Sequence, residues 1–198
     1  MQSKSEKTKQ FIIKKSAPIF NKYGYAATGL SDITKATGLT KGAIYGNFEN
    51  KEEIALEAFN FNMKNLLREI KKHMDLELSP LKKLYKLTNF FRNYHILMKE
   101  FGGCPIINVG IDSKNQNPLL HERVKYSIRK IIGFIEDIIV EGIDKKEIKT
   151  NINPEKWAIK IFTIIEGSVF MMSTTDKLDT MNEMMEHLEL MLETKFKL

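Results

Sequence analysis

The stretch of residues 23–53, YGYAATGLSDITKATGLTKGAIYGNFENKEE, decides the fold of the N-terminal part of this 198-residue chain. Its spacing of apolar residues predicts two short helices joined by a tight turn. Gly38 can supply the turn without steric cost, because it has no Cβ atom. Thr40 can cap the second helix, which carries Ile44 and Phe48 on one face. The stretch therefore predicts a helix-turn-helix.

The second helix of this motif is predicted to expose a small, polar surface that the major groove of DNA, about 12 Å wide, can admit. The exposed residues are Thr40, Lys41, Gly42, Ala43, Tyr45 and Asn47. Lys41 suits a hydrogen bond to guanine and Ala43 suits contact with a thymine methyl, with Gly42 between them. The hydroxyls of Thr28 and Thr40 can serve both as helix caps and as phosphate donors.

Tyr45 and Lys51 each allow two interpretations. Tyr45 can be a half-buried packing residue, but its place on the exposed side of the second helix favours a phosphate contact. Lys51 can be one solvated lysine among many, but it lies at the start of the next helix, where backbone N–H groups attract anions. We therefore predict that both contact phosphate.

The same stretch carries the motif of a known protein family. The matching positions are Gly24-Tyr25, Ala27-Thr28, Asp32-Ile33, Ala36, Gly38-Leu39, Thr40, Gly42, Ile44-Tyr45, Phe48 and Lys51-Glu52. This pattern, over about the first quarter of the chain, resembles the TetR/AcrR family of one-component transcriptional regulators. The chain departs from the family pattern at Asn47, often His, and at Gly29, often Ser or Thr. Pro18 lies inside the preceding helix and predicts a kink there.

The resemblance implies a helix-turn-helix DNA-binding domain over residues 1–50 and a helical regulatory and dimerisation domain over residues 51–198. It also implies a homodimer that binds an inverted-repeat operator in double-stranded DNA. In the proteins that the chain resembles, the last two helices of each subunit form a four-helix bundle, which here implies residues 154–198. Their regulatory helices usually enclose a small-molecule effector, so the resemblance implies a ligand-responsive repressor.

The net charge is concentrated in the helix-turn-helix region. Residues 1–51 carry nine Lys against three acidic residues, 9 − 3 = +6, and the rest of the chain carries 22 basic and 22 acidic residues. A basic terminus can be a solvated tail. One that coincides with a helix-turn-helix is the footprint expected for binding to phosphates.

Composition also limits the compartment and the chemistry. The single cysteine, Cys104, excludes an intramolecular disulfide and fits a reducing compartment. The N-terminus is polar and lysine-rich, unlike a signal peptide, and no apolar run approaches the ~18 residues of a membrane span. The histidines show no metal-ligand spacing. We therefore predict a cytoplasmic protein with no membrane partner, metal or cofactor.

Helical spacing continues beyond the motif and no segment alternates apolar with polar residues, which predicts an all-α fold of about nine helices. Asn50 and Glu53 give the capping box of a long helix that reaches toward Leu78, about 40 Å in length. A capping residue followed by Pro marks three further helix starts, at Ser79-Pro80, Asn117-Pro118 and Asn153-Pro154. The predicted later helices are residues 79–101, 105–112, 118–142, 154–174 and a last one around 181–192.

The helix that follows Asn153 is apolar nearly all round, so more than one of its sides must be covered. A second subunit covers the remaining side most simply, and the alternative is a monomer in which this helix is enclosed. The predicted interface residues are Trp157, Ile161, Ile165, Met181, Met184, Leu188 and Met191.

Aromatic and methionine residues in the later helices fit either a packed core or an effector pocket, and the resemblance favours the pocket. The candidate lining residues are Met63, Leu67, Phe91, Tyr94, His95, Met98, Cys104, Ile107, Asn108, Phe134, Glu166 and Phe170. His95, Asn108 and Glu166 are the polar groups that can orient a ligand. Cys104 is an inert buried thiol or a redox sensor, and no basic neighbour in sequence favours the sensor.

Glu166 interrupts an apolar run over residues 161–165. A buried carboxylate is costly, so it must pair with a base such as Arg92, take up a proton, face polar groups of an opposing subunit, or bind a ligand.

The residues can be compared with two functional classes, a DNA-binding regulator and an enzyme. An enzyme is not predicted, because the chain has no nucleophile elbow, no phosphate-cradling loop and no paired Cys or His cluster. The prediction is a ligand-responsive DNA-binding regulator, and the alternative is a DNA-binding regulator whose second domain serves only dimerisation or protein interaction.

Overall fold

The computed structural model of the protein describes residues 3–198, and the first two residues of the polar N-terminus lie outside that range. Within residues 3–198 the fold is all-α, as predicted. The only β-type pairing in this range is one isolated bridge between Ile148 and Lys197. The helices are α1 (Lys4–Ala27), α2 (Leu30–Thr37), α3 (Lys41–Tyr45), α4 (Lys51–Met74), α5 (Pro80–Arg92), α6 (Tyr94–Phe101), α7 (Pro105–Ser113), α8 (Pro118–Asp144), α9 (Pro154–Thr175) and α10 (Leu178–Met191), which a π-helical segment (Leu192–Phe196) follows.

The chain packs as two compact units. The first unit comprises the residues up to Leu66 together with Leu97–Tyr126, and the second comprises Leu67–Ile96 together with Ser127–Leu198. The first unit therefore contains α7 as well as the helix-turn-helix. The DNA-binding domain of residues 1–50 stays a prediction, since it is a functional division and not a division by contacts.

The predicted helix starts are confirmed. Ser79, Asn117 and Asn153 each accept a hydrogen bond from the backbone N–H three residues later, at 3.2, 2.9 and 2.9 Å. Asn50 caps α4 in the same way, at 2.8 Å. Each of these side chains satisfies a backbone N–H that has no partner inside its helix.

Two predicted helix boundaries are wrong. The helix expected over residues 79–101 is divided into α5 and α6 at Asn93, which has φ −103° and ψ 5°. Helix α4 ends at Met74, before Leu78, because the chain turns at Leu76, whose φ is +71°. With 24 residues, α4 is roughly 36 Å long.

Helix α1 braces the helix-turn-helix through an apolar face that includes Ile12, Ala17 and Phe20, all buried. Helical backbone angles continue through Pro18, where the sequence predicted a kink. The break falls at Gly24, with φ +80° and ψ 177°. A residue with a Cβ rarely adopts that conformation.

The core of the second unit lies where α10 packs against α5 and α9. Polar side chains close one edge of it: Arg92 Nη2 lies 2.8 Å from Glu189, and the hydroxyl of Tyr85 donates to Glu193 at 3.1 Å. Burial, and then the neighbouring Glu193 carboxylate, raise the pKa of Tyr85 to about 12. The tyrosine therefore stays protonated and remains a hydrogen-bond donor.

Helix α9 is long and apolar enough to cross a membrane by length and composition, contrary to the prediction that no segment approaches a span. Its 22 residues include a window of mean hydropathy 1.2, of which 39% is buried inside the chain. Core helices of soluble proteins meet the same criterion, and α9 packs against α10. Composition alone is therefore weak evidence for a membrane helix.

Candidate nucleic-acid interface

Helix α3 has one buried face and one exposed face. Ile44 is fully buried, and Phe48, just beyond the helix, is 2% exposed. Thr40 is the N-cap, and its hydroxyl accepts a hydrogen bond from the N–H of Ala43 at 3.2 Å. On the opposite side Lys41, Gly42 and Ala43 are exposed, and Tyr45 is 47% exposed. The structure thus presents the predicted base-reading residues on one surface.

Gly42 lies at the centre of this surface. A Cβ atom added to it meets no atom of the described residues, 3–198, within 4 Å. The absence of a side chain at this position is therefore not required by packing within the protein. A glycine does allow close approach to an external surface.

Asn47 is held by two hydrogen bonds within the first unit. Its Nδ2 donates to the carbonyl of Ala43 at 2.9 Å, and its Oδ1 accepts from the hydroxyl of Ser5 at 3.2 Å. The side chain closes the C-terminal end of α3 and joins it to the start of α1. Any contact of Asn47 with DNA would have to share these groups.

Lys51 occupies the first position of α4, beside the end of α1. Its Nζ lies 4.5 Å from the centroid of the Tyr25 ring and 3.5 Å from the carbonyl oxygen of Ala26. Burial lowers the pKa of Lys51, and the nearby carboxylates of Asp112 and Asp32 oppose that change. The side chain is half-buried, and these two contacts give its ammonium group a defined position.

Thr28 does not have the predicted geometry of a phosphate donor. Its side chain is 0% exposed, and its hydroxyl donates to the carbonyl of Gly24 at 2.7 Å. The hydroxyl satisfies a carbonyl at the end of α1 and therefore serves the fold. The buried side chain of Thr28 is therefore not a DNA contact in this arrangement.

An ion pair joins α1 to α4 behind this surface. Lys9 Nζ lies 2.7 Å from Glu53 Oε1 and 4.9 Å from the centroid of the Phe48 ring. The hydrogen bond to Glu53 raises the pKa of Lys9, and the same bond lowers the pKa of Glu53. Glu53 also accepts a hydrogen bond from the N–H of Glu49 at 2.8 Å. In a capping box it would accept from the N–H of Asn50 instead. The pair holds together the two helices that flank the motif.

Two carboxylates outside the predicted site residues hold the end of α1 and the turn that leads to α2. Asp32 accepts from the N–H of Gly29 at 2.7 Å, and Asp112, on α7, accepts from the N–H groups of Tyr25 and Ala26. The three-residue spacing of Gly29 and Asp32 was a signal for the first contact. No local signal marked Asp112, because its partners are 86 and 87 residues away.

The predicted effector residues are divided between the two units. In the first unit Met63 and Cys104 are buried, and the half-buried residues are Met98, Ile107 and Asn108. Asn108 Nδ2 donates to the carbonyl of Asn21 at 2.7 Å. That amide therefore serves a structural contact with α1.

In the second unit, Phe91 and Tyr94 belong to an aromatic cluster. The ring centroid of Phe91 lies 5.3 Å from that of Phe90 and 5.3 Å from that of Tyr94. His95 follows directly, and its Nδ1 is buried with no hydrogen-bond partner among residues 3–198. Leu67 and Phe134 are half-buried, and Phe134 lines an open groove of about 540 Å³. Of this set, the histidine nitrogen has the clearest capacity to bind an external group.

Glu166 is half-buried, less enclosed than the apolar run predicted. Arg92, the suggested partner, is held by Glu189 at 2.8 Å and Glu186 at 3.9 Å. Phe170, also assigned to the pocket, is 45% exposed on the surface of α9. Its aromatic ring is thus available to a partner outside the chain.

The predicted dimer residues mostly face the core of their own chain. Four of them are buried within it: Ile161, Ile165, Met181 and Leu188. Trp157 packs edge-on against Phe196, with ring centroids 5.0 Å apart, while Met184 and Met191 are half-buried. An interface on α9 must therefore use a different face.

Residues 3–198 contain no group of three or more His, Cys, Asp or Glu that could hold a metal ion.

The short, exposed α3, its buried anchors and the basic region around it define a helix-turn-helix DNA-binding protein. The family model for bacterial regulatory proteins of the tetR family matches residues 12–58, and the model for the tetracyclin repressor-like C-terminal domain matches residues 80–188. The second match alone covers more than half of the chain. The chain therefore belongs to the TetR family of bacterial transcriptional regulators.

Relatives align over nearly the whole chain. A TetR-family transcriptional regulator from Cytophaga hutchinsonii superposes with a TM-score of 0.94 at 31% identity, covering 99% of this chain and 98% of that one. The transcriptional repressor DhaR of Mycobacterium sp. strain GP1 is 22% identical over 83% of this chain and 81% of its own. A Saccharomonospora viridis protein in complex with choline has the same fold, with a TM-score of 0.81, 18% identity, and 97% and 98% of the two chains covered.

Gly42→Ala separates DNA contact from folding. The free energy of unfolding should stay equal or rise, by up to about 1 kcal/mol, because alanine is the better helix former and the added methyl meets no atom. Affinity for a duplex selected from random DNA should fall about tenfold, since the methyl occupies space at the groove, where one base contact contributes ~1–3 kcal/mol. Urea unfolding and gel-shift titration measure the two effects.

Gly133→Ala on α8 is the matched control, because a Cβ there also meets no atom within 4 Å. It should leave DNA affinity unchanged. Unchanged affinity in Gly42→Ala as well would show that this side of α3 does not approach DNA.

Proposed function

We propose that the protein is a cytoplasmic, non-enzymatic transcriptional repressor that binds an inverted-repeat operator as a homodimer and is released by a small-molecule effector. The proposal that the protein binds DNA rests on the surface of α3. There, exposed Lys41, Gly42 and Ala43 lie opposite a buried Ile44. Lys41 and Ala43 read bases, while Tyr45, Lys51 and the hydroxyl of Thr40 contact phosphates. The similarity to a repressor supports repression.

The dimer forms through a face of α9 that the chain leaves uncovered. Ile159 and Phe170 are 44% and 45% exposed, and Thr163 and Gly167 lie between them on the same side of the helix. A Cβ on Gly167 meets no atom of residues 3–198 within 4 Å, so the middle of this stripe is uncovered by that part of the chain. Exposed apolar surface of this kind marks an interaction site. A two-fold axis beside it pairs α9 and α10 of two subunits.

The effector binds among the helices beyond the motif, with His95 as its principal polar contact. A buried nitrogen without a hydrogen bond is costly, and a ligand that bonds to Nδ1 removes that cost. A protein of the same fold was crystallised with choline, which shows that this fold accommodates a small molecule in that case. Regulation requires that the effector bind the DNA-incompetent arrangement more tightly than the competent one.

The alternative is a regulator without an effector, whose C-terminal part serves only dimerisation or protein interaction. It is favoured by the aromatic cluster of Phe90, Phe91 and Tyr94, which are all buried and in mutual contact. The three rings are thus ordinary core. The two functions differ in whether a ligand and the operator affect each other's binding.

The α9 interface is tested by Phe170→Asp. A charge in the stripe should give folded monomers, since Phe170 contributes exposed surface and not core, and binding to an inverted repeat should weaken at least tenfold, because one subunit holds one half-site. Sedimentation velocity and circular dichroism measure the two properties. Leu78→Asp is the control, because Leu78 is 81% exposed on the loop after α4 and should leave the dimer intact. A dimer that survives Phe170→Asp places the interface elsewhere.

The effector is tested by linkage. A compound found by thermal-shift screening should weaken operator binding, and the operator should weaken binding of that compound by the same factor. His95→Ala should reduce both effects, while His187→Ala, an exposed histidine on α10, should change neither. Equal affinity for the compound with and without operator would favour the regulator without an effector.

A further inference from the structure

Asp112, on α7, reaches the end of α1 within the first unit. Its Oδ2 accepts hydrogen bonds from the backbone N–H of Tyr25 and, at 3.3 Å, from that of Ala26. No proposed DNA contact lies on α7. The residue therefore acts on the DNA surface through these two backbone groups and through its charge, which favours the protonated form of Lys51.

The two N–H groups are available because Gly24 breaks α1. With φ +80° and ψ 177°, Gly24 ends one helix and begins a short new turn, whose first N–H groups have no helical acceptor. A carboxylate at such a position accepts those hydrogen bonds and is favoured by the local dipole. A Cβ on Gly24 would lie 2.8 Å from the Asp112 carboxyl carbon. The glycine thus provides both the break and the room for the carboxylate.

The turn that Asp112 holds is also the support of Lys51. The Tyr25 ring lies 4.5 Å from Lys51 Nζ, and the Ala26 carbonyl oxygen lies 3.5 Å from it. A displaced turn would carry both groups away from the ammonium. Lys51 would then lose its defined position and keep only its charge.

A second set of contacts fixes the other end of α7 to α1. Asn21 Nδ2 donates to the carbonyls of Phe101 and Gly103 at 2.8 and 2.7 Å, and Asn108 Nδ2 donates back to the Asn21 carbonyl at 2.7 Å. Helix α7 is therefore attached to α1 at both ends. A shift of α7 must move the turn at Gly24 or break these bonds.

We propose that Asp112 is a positioning residue for DNA binding: it holds the turn of Tyr25 and Ala26 in place, and through that turn it sets the position of Lys51 at the phosphate backbone. This inference rests on the proposed function, in which Lys51 contacts a phosphate.

Simple electrostatics predicts the opposite effect. Asp112 is negative and lies near a surface that meets phosphates, so its removal should tighten binding to DNA if charge alone matters. Positioning predicts that its removal weakens binding. The sign of the change separates the two.

The experiment measures the affinity of full-length variants for a selected duplex at several salt concentrations. Asp112→Ala should lower affinity about tenfold and reduce the salt slope by about 0.9, the value for one lost phosphate contact, as Lys51→Ala should. The double variant should show no further loss of slope. Asp112→Asn should recover part of the affinity, because its amide oxygen still accepts from the two N–H groups. Asp137→Asn, an exposed carboxylate on α8, should change nothing.

A purely structural role would lower the active fraction, measured by stoichiometric titration, and leave the slope unchanged, which overturns the proposal. Equal or tighter binding by Asp112→Ala overturns it too. If Asp112→Ala does not fold, Asp112→Asn decides: it must bind more weakly than the parent with a reduced slope, and tighter binding refutes the inference. An unchanged slope in Lys51→Ala instead refutes the proposed DNA surface, independently of Asp112.

Discussion

The burial of Ile44 and Phe48 is the interaction on which the DNA-binding surface depends. Helix α3 has five residues, too few to be stable alone in water, because a short helix does not recover the cost of nucleation. Its position is therefore set by the core beneath it and by the side chains of Thr40 and Asn47 at its ends. A short helix held in this way presents its exposed residues in one fixed direction.

The same logic applies around the motif. Lys9 and Glu53 join α1 to α4, and the turn after Gly24 receives hydrogen bonds from Asp112 on α7. These contacts are few and polar, and they connect helices far apart in sequence.

The parts of the fold that could be predicted from sequence are those set by local chemistry. Ser79, Asn117 and Asn153 mark helix starts because a cap and its partner N–H are three residues apart, and Gly38 has the expected left-handed conformation, with φ +71°. Asp112 could not be predicted, because its partners lie 86 and 87 residues away.

Helix α9 shows why the side of a helix that faces its own chain could not be predicted from the sequence. It is apolar nearly all round, so periodicity could not tell which side faces its own chain. Ile161 and Ile165 proved to be buried in that chain, while Ile159 and Phe170 are exposed. The break at Asn93 within residues 79–101 escaped prediction for a related reason, because the apolar spacing continues on both sides of it.

The central claim is that a pair of α3 helices reads one DNA site, and selection from random duplex DNA tests it most directly. Purified protein should enrich an inverted repeat whose half-site centres are one helical turn, about 34–36 Å, or a multiple of it apart, because two subunits related by a two-fold axis meet the same bases in opposite orientation. Enrichment of a single unrepeated element, or of no sequence at all, would contradict the account.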